Sequence, residues 1–305
     1  MVDIIVIGGG PAGMTAALYA LRNGKSVLVL EKAGFGGQIT HSPKVENWPG
    51  TARMSGNEFA DAFLEQILDQ GAEVDLTEAV KVEDHGTYKA VITAEGEIRE
   101  GKSVILATGV RHRELGLPGE REMTGEGVSY CAVCDGDFFK GKKVCVAGGG
   151  NSALQEAMLL AGKCREVIML QDLPEFTGER KLQELLFARE NVSARTGVRI
   201  VDLCMDENVQ LTGVTVETAG GGRETISCDG LFVAIGLIPE NECFADVAKL
   251  DARGYFDSPE TCETGTPGVF AAGDCRAKNI RQLTTAAGDG SVAALAACRY
   301  VDTLF

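Results

Sequence analysis

Two kinds of apolar pattern alternate along this chain. The first is the short run without a polar face: Asp3-Ile4-Ile5-Val6-Ile7, Ser26-Val27-Leu28-Val29-Leu30 and Val104-Ile105-Leu106-Ala107-Thr108-Gly109. β-Branched runs of this length suit strands buried on both faces of a parallel sheet. The second is helical. Residues 14–22 are rich in Ala and Leu, and 56–70 set Phe59, Phe63, Ile67 and Leu68 on one face of an amphipathic helix. Between 73 and 100 the period drops to two, which predicts an inserted antiparallel sheet. The strand–helix–strand theme then returns: Lys142-Lys143-Val144-Cys145-Val146-Ala147 predicts a strand, 154–161 a helix, and Glu166-Val167-Ile168-Met169-Leu170 the next strand. Strand-like segments follow at 198–203, 209–218 and 231–235. A last strand, Gly268-Val269-Phe270-Ala271-Ala272-Gly273-Asp274, precedes a helix of small residues over 286–299.

The turns that close these strands sharpen the picture. Gly8-Gly9-Gly10-Pro11-Ala12-Gly13 is a G-x-G-x-x-G turn between strand and helix, and Glu31 ends the next strand. Its glycines permit the tight turn and the close approach of a pyrophosphate, the helix N-terminus offers free N–H groups, and the acid can bond ribose hydroxyls. Gly148-Gly149-Gly150-Asn151-Ser152-Ala153 repeats the turn, and Gln171-Asp172 stands where Glu31 stands in the first unit. The chain therefore predicts an α/β fold of two Rossmann-like, doubly wound, three-layer nucleotide-binding domains. A closing segment of about 60 residues is too small for a comfortable α/β domain of its own. It is expected to complete the first domain, giving 1–114 with 242–305 and an inserted domain 115–241. Loop residues Gln38, Asn47 and Trp48 offer the polar and flat groups a ring-shaped cofactor uses, though each alone also reads as turn chemistry or core filling.

Composition changes this picture at three points. Thirty-nine glycines fit a chain of many tight turns. A formal charge of −15 argues against nucleic acid or an anionic membrane as partner, while local backbone dipoles still allow a nucleotide. No apolar run approaches the roughly 20 residues of a membrane span. The start enters an apolar strand with no basic region or cleavage site, so a cytoplasmic location without signal peptide is expected. Eight of the ten cysteines are isolated, in keeping with buried reduced thiols. The other two form Tyr130-Cys131-Ala132-Val133-Cys134-Asp135. Thiols two residues apart can close a disulfide ring or attack a partner's disulfide, and Asp135 is placed to take or return a proton. The competing reading is half of a zinc site. It lacks a second Cys-x-x-Cys, and His41, His85 and His112 are scattered singly, so redox chemistry is favoured and no metal is expected.

With two Rossmann units, Cys-Ala-Val-Cys-Asp just before the second, then Ala-Ala-Gly-Asp and Arg-Gln-Leu-Thr-Thr-Ala-Ala-Gly-Asp-Gly, the chain resembles the low-molecular-weight, bacterial-type thioredoxin reductases over essentially its whole length. The resemblance implies FAD on the first unit. Gly8, Gly10, Pro11, Ala12, Gly13 and Glu31 would hold its ADP half, with Gly37, Gln38, Asn47, Thr108, Gly109, Gly273, Asp274, Arg281, Gln282 and Leu283 around the rest. NAD(P)H is implied on the second unit, at Gly148, Gly150, Asn151, Ser152, Ala153, Gln171, Asp172 and Gly236. A redox disulfide of Cys131 and Cys134 is implied as well, Cys134 nearest the flavin, Cys131 facing the protein substrate and Asp135 as acid/base. The family is also homodimeric and rotates its two domains against each other. Electrons would pass from nicotinamide to flavin to disulfide. Cys131 would then attack the disulfide of thioredoxin or a thioredoxin-like protein, and Cys134 would resolve the mixed disulfide. Nicotinamide and disulfide both require near-contact with the flavin, so rotation alternates them.

One departure matters. NADPH-using members carry His-Arg-Arg where this chain has Gln171-Asp172-Leu173. Asp172 repels a 2′-phosphate and can bond a free 2′-hydroxyl, which favours NADH over NADPH. Arg180 and Lys181 could compensate, but they read as the solvent face of a charged helix over 179–189. Reduced ferredoxin is the alternative donor, and the intact Gly148, Gly150 and Ala153 turn argues against it. A peroxiredoxin or glutaredoxin-like carrier is the alternative acceptor. A flavin-bearing redox sensor without turnover is the alternative from another class.

Overall fold

The computed structural model describes residues 1–42 and 45–304. They form two compact units, 1–111 with 238–305 and 112–237. The first begins with β1 (Val2–Ile7), α1 (Pro11–Arg22), β2 (Val27–Leu30), α2 (Gly56–Asp69), β3 (Glu73–Asp75), β4 (Ala79–Asp84), β5 (Lys89–Thr93) and β6 (Ile98–Leu106). After β7 (Arg111–His112) the second unit holds β8 (Val128–Ser129), α3 (Ala132–Asp135), β9 (Lys143–Ala147), α4 (Asn151–Ala161), β10 (Glu166–Gln171) and α5 (Arg180–Phe187). It continues with β11 (Val192–Thr196), β12 (Val198–Met205), β13 (Leu211–Thr218), β14 (Arg223–Ser227) and β15 (Gly230–Val233). β16 (Leu237–Ile238) leads back to β17 (Val269–Ala271) and α6 (Leu283–Asp302) of the first.

The crossings fall slightly before residues 114 and 241. Arg113 donates its N–H to the Gly236 carbonyl, which keeps 113 with the second unit. Asn241 is fully buried in the first, where it accepts from Thr108 Oγ1 at 2.7 Å and donates to the carbonyls of Gly254 and Cys275.

In the first unit β3-β2-β1-β6 are parallel, and β17 pairs in parallel with the C-terminal half of β6. Successive residues point to opposite faces of a strand. Ile4 and Val6 accordingly enter the core beneath α1 and α6, while Ile5 and Ile7 enter a second core with Phe244 and Phe256. The antiparallel insert is β4-β5 on the first half of β6. Residues 73–75 are not part of it. Glu73–Asp75 extends the parallel sheet beside β2, because backbone pairing with Leu28, Val29 and Leu30 is available at that edge.

The second unit repeats the plan. Its parallel sheet runs β11-β10-β9-β15-β8, with α4 and α5 on one face and the antiparallel β12-β13-β14 on the other. Val144 and Val146 face the helices; Cys145 and Ala147 face the antiparallel sheet.

Candidate active site: two glycine cradles and a dithiol

In the first unit, Gly8 has φ +110°, and a Cβ there would lie 2.2 Å from the Ala107 carbonyl oxygen. A Cβ on Gly13 would lie 1.8 Å from the Gly8 carbonyl oxygen, so this glycine lets α1 sit directly on the strand. Gly10 is different: nothing lies closer than 4.0 Å to its would-be Cβ, and it precedes Pro11 at the start of α1 without a side-chain cap. The first-turn N–H groups of α1 thus have no capping side chain, next to a glycine with room around it, the arrangement an anionic diphosphate needs. Glu31 Oε2 accepts the Gly9 N–H at 2.7 Å and Oε1 accepts that of Ala33, fixing the loop.

Other expected residues gather here. The Gly36 N–H donates to the Gly9 carbonyl, bringing Gly37, and Gln38 after it, alongside Gly10. Gly273 lies against Ala12. Asn47 Nδ2 donates to Gln282 Oε1 at 3.3 Å, and Gln282, before Leu283, caps α6. Burial pushes the Asp274 carboxyl up while Lys278, 3.3 Å from its buried Oδ1, pulls it back. That buried oxygen has the Lys278 ammonium beside it, and the carboxyl stands next to an open cradle, so the residues fit a hydroxyl-rich nucleotide. Two expected residues are already engaged: Thr108, before Gly109, is bonded to Asn241, and Arg281 donates to the carbonyls of Asp274 and Arg276 while stacking on Tyr255. Lys278 and Asp289 join this site from outside the residues the motifs mark. Asp289 accepts the Gly273 N–H at 3.0 Å and pairs with Arg276 and Lys278, a charge in an otherwise small-residue helix that could have been noticed.

The second cradle is built alike. Gly148 has φ +125° and approaches the Ala234 carbonyl, Gly150 is open, and buried Ala153 takes the place of the third glycine. Gln171 is buried against Gly149, as Glu31 is tied to Gly9, but it carries no charge. Asp172 and Ser152 are exposed. Asn151 exchanges two hydrogen bonds with Glu179, and the N–H groups of Thr177 and Gly178 donate to the Gly149 carbonyl, so a further loop borders this turn. Gly236, with φ +114°, follows β15. Arg180 is exposed and paired with Glu184 at 3.1 Å.

Also in the second unit, Cys131 and Cys134 form a disulfide across the first turn of α3. Cys131 caps that helix, its Sγ accepting the Cys134 N–H at 3.2 Å. Ser129 Oγ accepts the Cys131 N–H at 3.1 Å and donates to Asp135 Oδ2 at 2.6 Å. Burial raises the Asp135 carboxyl, the Ser129 hydrogen bond opposing it, and Oδ1 is buried without a partner. Tyr130 donates to Glu120, a buried carboxylate that also accepts the N–H groups of Leu115 and Gly116. The dithiol is thereby fixed from both sides.

Fold and site together define a class: a disulfide oxidoreductase with two Rossmann units, a cradle in each and its dithiol in the second. The pyridine nucleotide-disulphide oxidoreductase family matches residues 2–290. The chain is 38% identical over 302 residues to a thioredoxin reductase of Listeria monocytogenes, covering 99% of this chain and 94% of the relative. With that of Bacillus subtilis it shares 38% over 303 residues, covering 99% and 95%. The solved thioredoxin reductase of Streptococcus pyogenes matches with a TM-score of 0.94 at 36% identity, over 99% of either chain. The chain belongs to the pyridine nucleotide-disulphide oxidoreductases and, within them, to the flavin-dependent thioredoxin reductases. Membership implies a flavin and a pyridine nucleotide. Among the described residues, no helix is long and apolar enough to cross a membrane.

Proposed function

We propose that this chain reduces the disulfide of thioredoxin, or of a thioredoxin-like protein, with NADH as donor, FAD on the first unit and Cys131–Cys134 as the exit for electrons. The observation that carries it is the closed Cys131–Cys134 disulfide beside a desolvated carboxyl, in a chain with two glycine cradles. Gly8, Gly10, Pro11, Ala12 and Gly13 would hold the diphosphate, and Glu31, Gln38, Asn47, Asp274 and Gln282 would surround the remainder. FAD, when bound, supplies a two-electron relay between nicotinamide and dithiol. The second cradle, Gly148 to Ala153, would take the nucleotide diphosphate, with exposed Asp172 turned to a ribose free of phosphate.

The dithiol's own chemistry follows from its bonds. The Cys134 N–H directed at Cys131 Sγ stabilises a thiolate there once the disulfide is reduced. That thiolate attacks a sulfur of the partner's disulfide and releases the other. Cys134 then displaces the mixed disulfide, so Cys131–Cys134 closes again and the partner leaves as a dithiol. Asp135, kept inclined to hold a proton by burial, returns it to the departing sulfur. We place the enzyme in the cytoplasm as a homodimer, on the family resemblance; light scattering should give twice the chain mass, and a monomer would remove the dimer.

Stopped-flow reduction of the flavin band tests the donor. NADH should reduce faster than NADPH, with turnover once thioredoxin is added. Equal or reversed rates overturn the NADH preference; reduction by ferredoxin alone overturns the nicotinamide. A chain that reduces but never turns over any disulfide protein is a sensor.

A further inference from the structure

The dithiol segment rests on α4, and α4 brings a carboxyl of its own. Ala132, the first residue of α3, is fully buried in one cluster with Ala153, Ala157 and Leu160 of α4. A Cβ at Gly136 would lie 3.3 Å from Leu160 Cδ2, so the two segments touch closely. Glu156 lies one turn before Leu160 on this face. Its Oε2 is buried without a hydrogen-bond partner, and its carboxyl lies against the Ala132 backbone N–H. Among the described residues of the second unit, the buried side-chain polar atoms lacking a partner are Asp135 Oδ1 and Glu156 Oε2. Asp135 directly follows Cys134, and Glu156 stands on α4 beside the backbone of Ala132 between the two cysteines. Asp135 reaches the Cys131 N–H through Ser129, whereas Glu156 faces the next N–H along, that of Ala132. The Cys134 N–H is directed at Cys131 Sγ. The Cys134 and Ala132 N–H groups of this one turn therefore act on a sulfur and on a carboxyl.

We propose that Glu156 is a positioning residue for the dithiol: its negative charge competes with a Cys131 thiolate for the first-turn N–H groups of α3, so that protonating Glu156 promotes the thiolate and ionising it suppresses the thiolate. The inference rests on Cys131–Cys134 being the redox pair. Reduction breaks the S–S bond with two electrons, supplied by the enzyme's reductive half-reaction or by dithiothreitol. The sulfurs take up one proton if Cys131 remains a thiolate and two if it does not. An ionised Glu156 favours the two-proton product.

Burial pushes the Glu156 carboxyl up to about 7, with the Ala132 N–H pulling the other way, so the switch falls at neutral pH. The charged groups on the elements packed around α4 are largely engaged elsewhere. Asp137 pairs with Lys163, Lys143 of β9 with Glu166 of β10, and Arg180 of α5 with Glu184. Arg189, after α5, donates to Met158, while Lys181 is exposed. Asp135 is the remaining carboxyl on α3.

The test is the pH profile of iodoacetamide alkylation of the peptide holding Cys131 and Cys134, measured by mass spectrometry on the dithiothreitol-reduced holoenzyme. It needs no turnover, so a failure of the thioredoxin assignment leaves the measurement intact. Wild type should show an inflection near pH 7 below the thiol's own. In Glu156→Gln that inflection should vanish and the rate at pH 7 should rise several-fold; Glu156→Asp should restore it. Superimposable profiles overturn the proposal, as does loss of the inflection in Asp135→Asn but not in Glu156→Gln. Should Glu156→Gln fail to fold, infrared spectra of the wild type decide. A carboxylic acid C=O band titrating near pH 7 and moving on dithiol reduction supports the coupling; a band insensitive to reduction removes it.

Discussion

Cys134 and Asp172 allow the sharpest tests of single side chains. Cys134 closes the ring in the second unit, whereas the glycines expected to hold FAD belong to the first. Cys134→Ser should therefore leave FAD bound at an unchanged flavin-to-protein ratio. Disulfide turnover should be abolished, because no thiol remains to resolve the mixed disulfide; normal turnover would remove Cys134 from the exchange. Asp172→Arg replaces a repelling carboxylate by a bidentate donor at an exposed position. A charge-assisted hydrogen bond contributes roughly 1.5–3 kcal/mol, so the ratio of kcat/KM for NADPH over NADH should rise about 10- to 100-fold. An unchanged ratio would exclude Asp172 from selectivity. Residues of this kind could be read in advance because their chemistry fixes both type and spacing: Gly8, Gly10 and Gly13 around a turn, two thiols three positions apart, an acid beside them. Asn241 and Glu156 could not. Each acts on a group far away in sequence (Asn241 on Thr108, Glu156 on Ala132), and no local spacing announces such a pairing.

Between elements, two contacts carry the cradles, and both respond to small changes. α6 crosses α1 at Gly290, whose would-be Cβ lies 2.2 Å from the Ala12 carbonyl oxygen and 2.9 Å from Thr15 Cβ. Backbone cannot yield there, so Gly290→Ala must push α1 away from the turn it forms with Gly10. A loss of about 1–3 kcal/mol in denaturant unfolding is expected, together with weaker retention of FAD. Gly288→Ala, on the same helix with nothing within 4 Å, should instead be neutral or stabilising by roughly 0.5–1 kcal/mol. Similar losses at both positions would mean that helix chemistry, not the α1 contact, decides. The α4–α3 contact predicts a pH dependence. The Glu156 carboxyl stands at about 7 against an ordinary 4.5, a folded value above the unfolded one. Its stabilising contribution is therefore fully present below about 4.5 and is lost as pH rises through about 7, on the order of 3 kcal/mol in all. Glu156→Gln should raise Tm at pH 8 and leave it unchanged at pH 4; a gain at both would point to packing rather than charge. Strand order was less legible than the elements themselves. Residues 73–75 share the period-two pattern of β4 and β5, and only the free edge of β2 determines that they run parallel to it.

Across the whole molecule, the hydrophobic cores respect the division of the chain. The two clusters around β1 draw on residues 4–107 and 244–301, and the two around β9 on residues 123–233. The first unit is thus made of segments that meet only across an intervening stretch, whereas the second is continuous. Continuity has a thermodynamic consequence: the hydrophobic clusters that hold Val144, Val146, Ile168, Met169 and Phe232 are built from residues between the two crossings. A chain segment with its own core on both faces of its sheet should fold alone. Excised 112–237 is therefore expected to unfold in one cooperative transition with near-native circular dichroism, to form the Cys131–Cys134 disulfide under mild oxidation, and to take no FAD. The complementary first unit faces a longer loop closure, but a short linker joining 111 to 238 relieves it; that protein should take up FAD with its yellow absorbance and show no disulfide turnover. An insert that stays unfolded by itself, or a linked first unit that remains colourless, would mean that the cores depend on each other and that the insertion is not a domain in the thermodynamic sense.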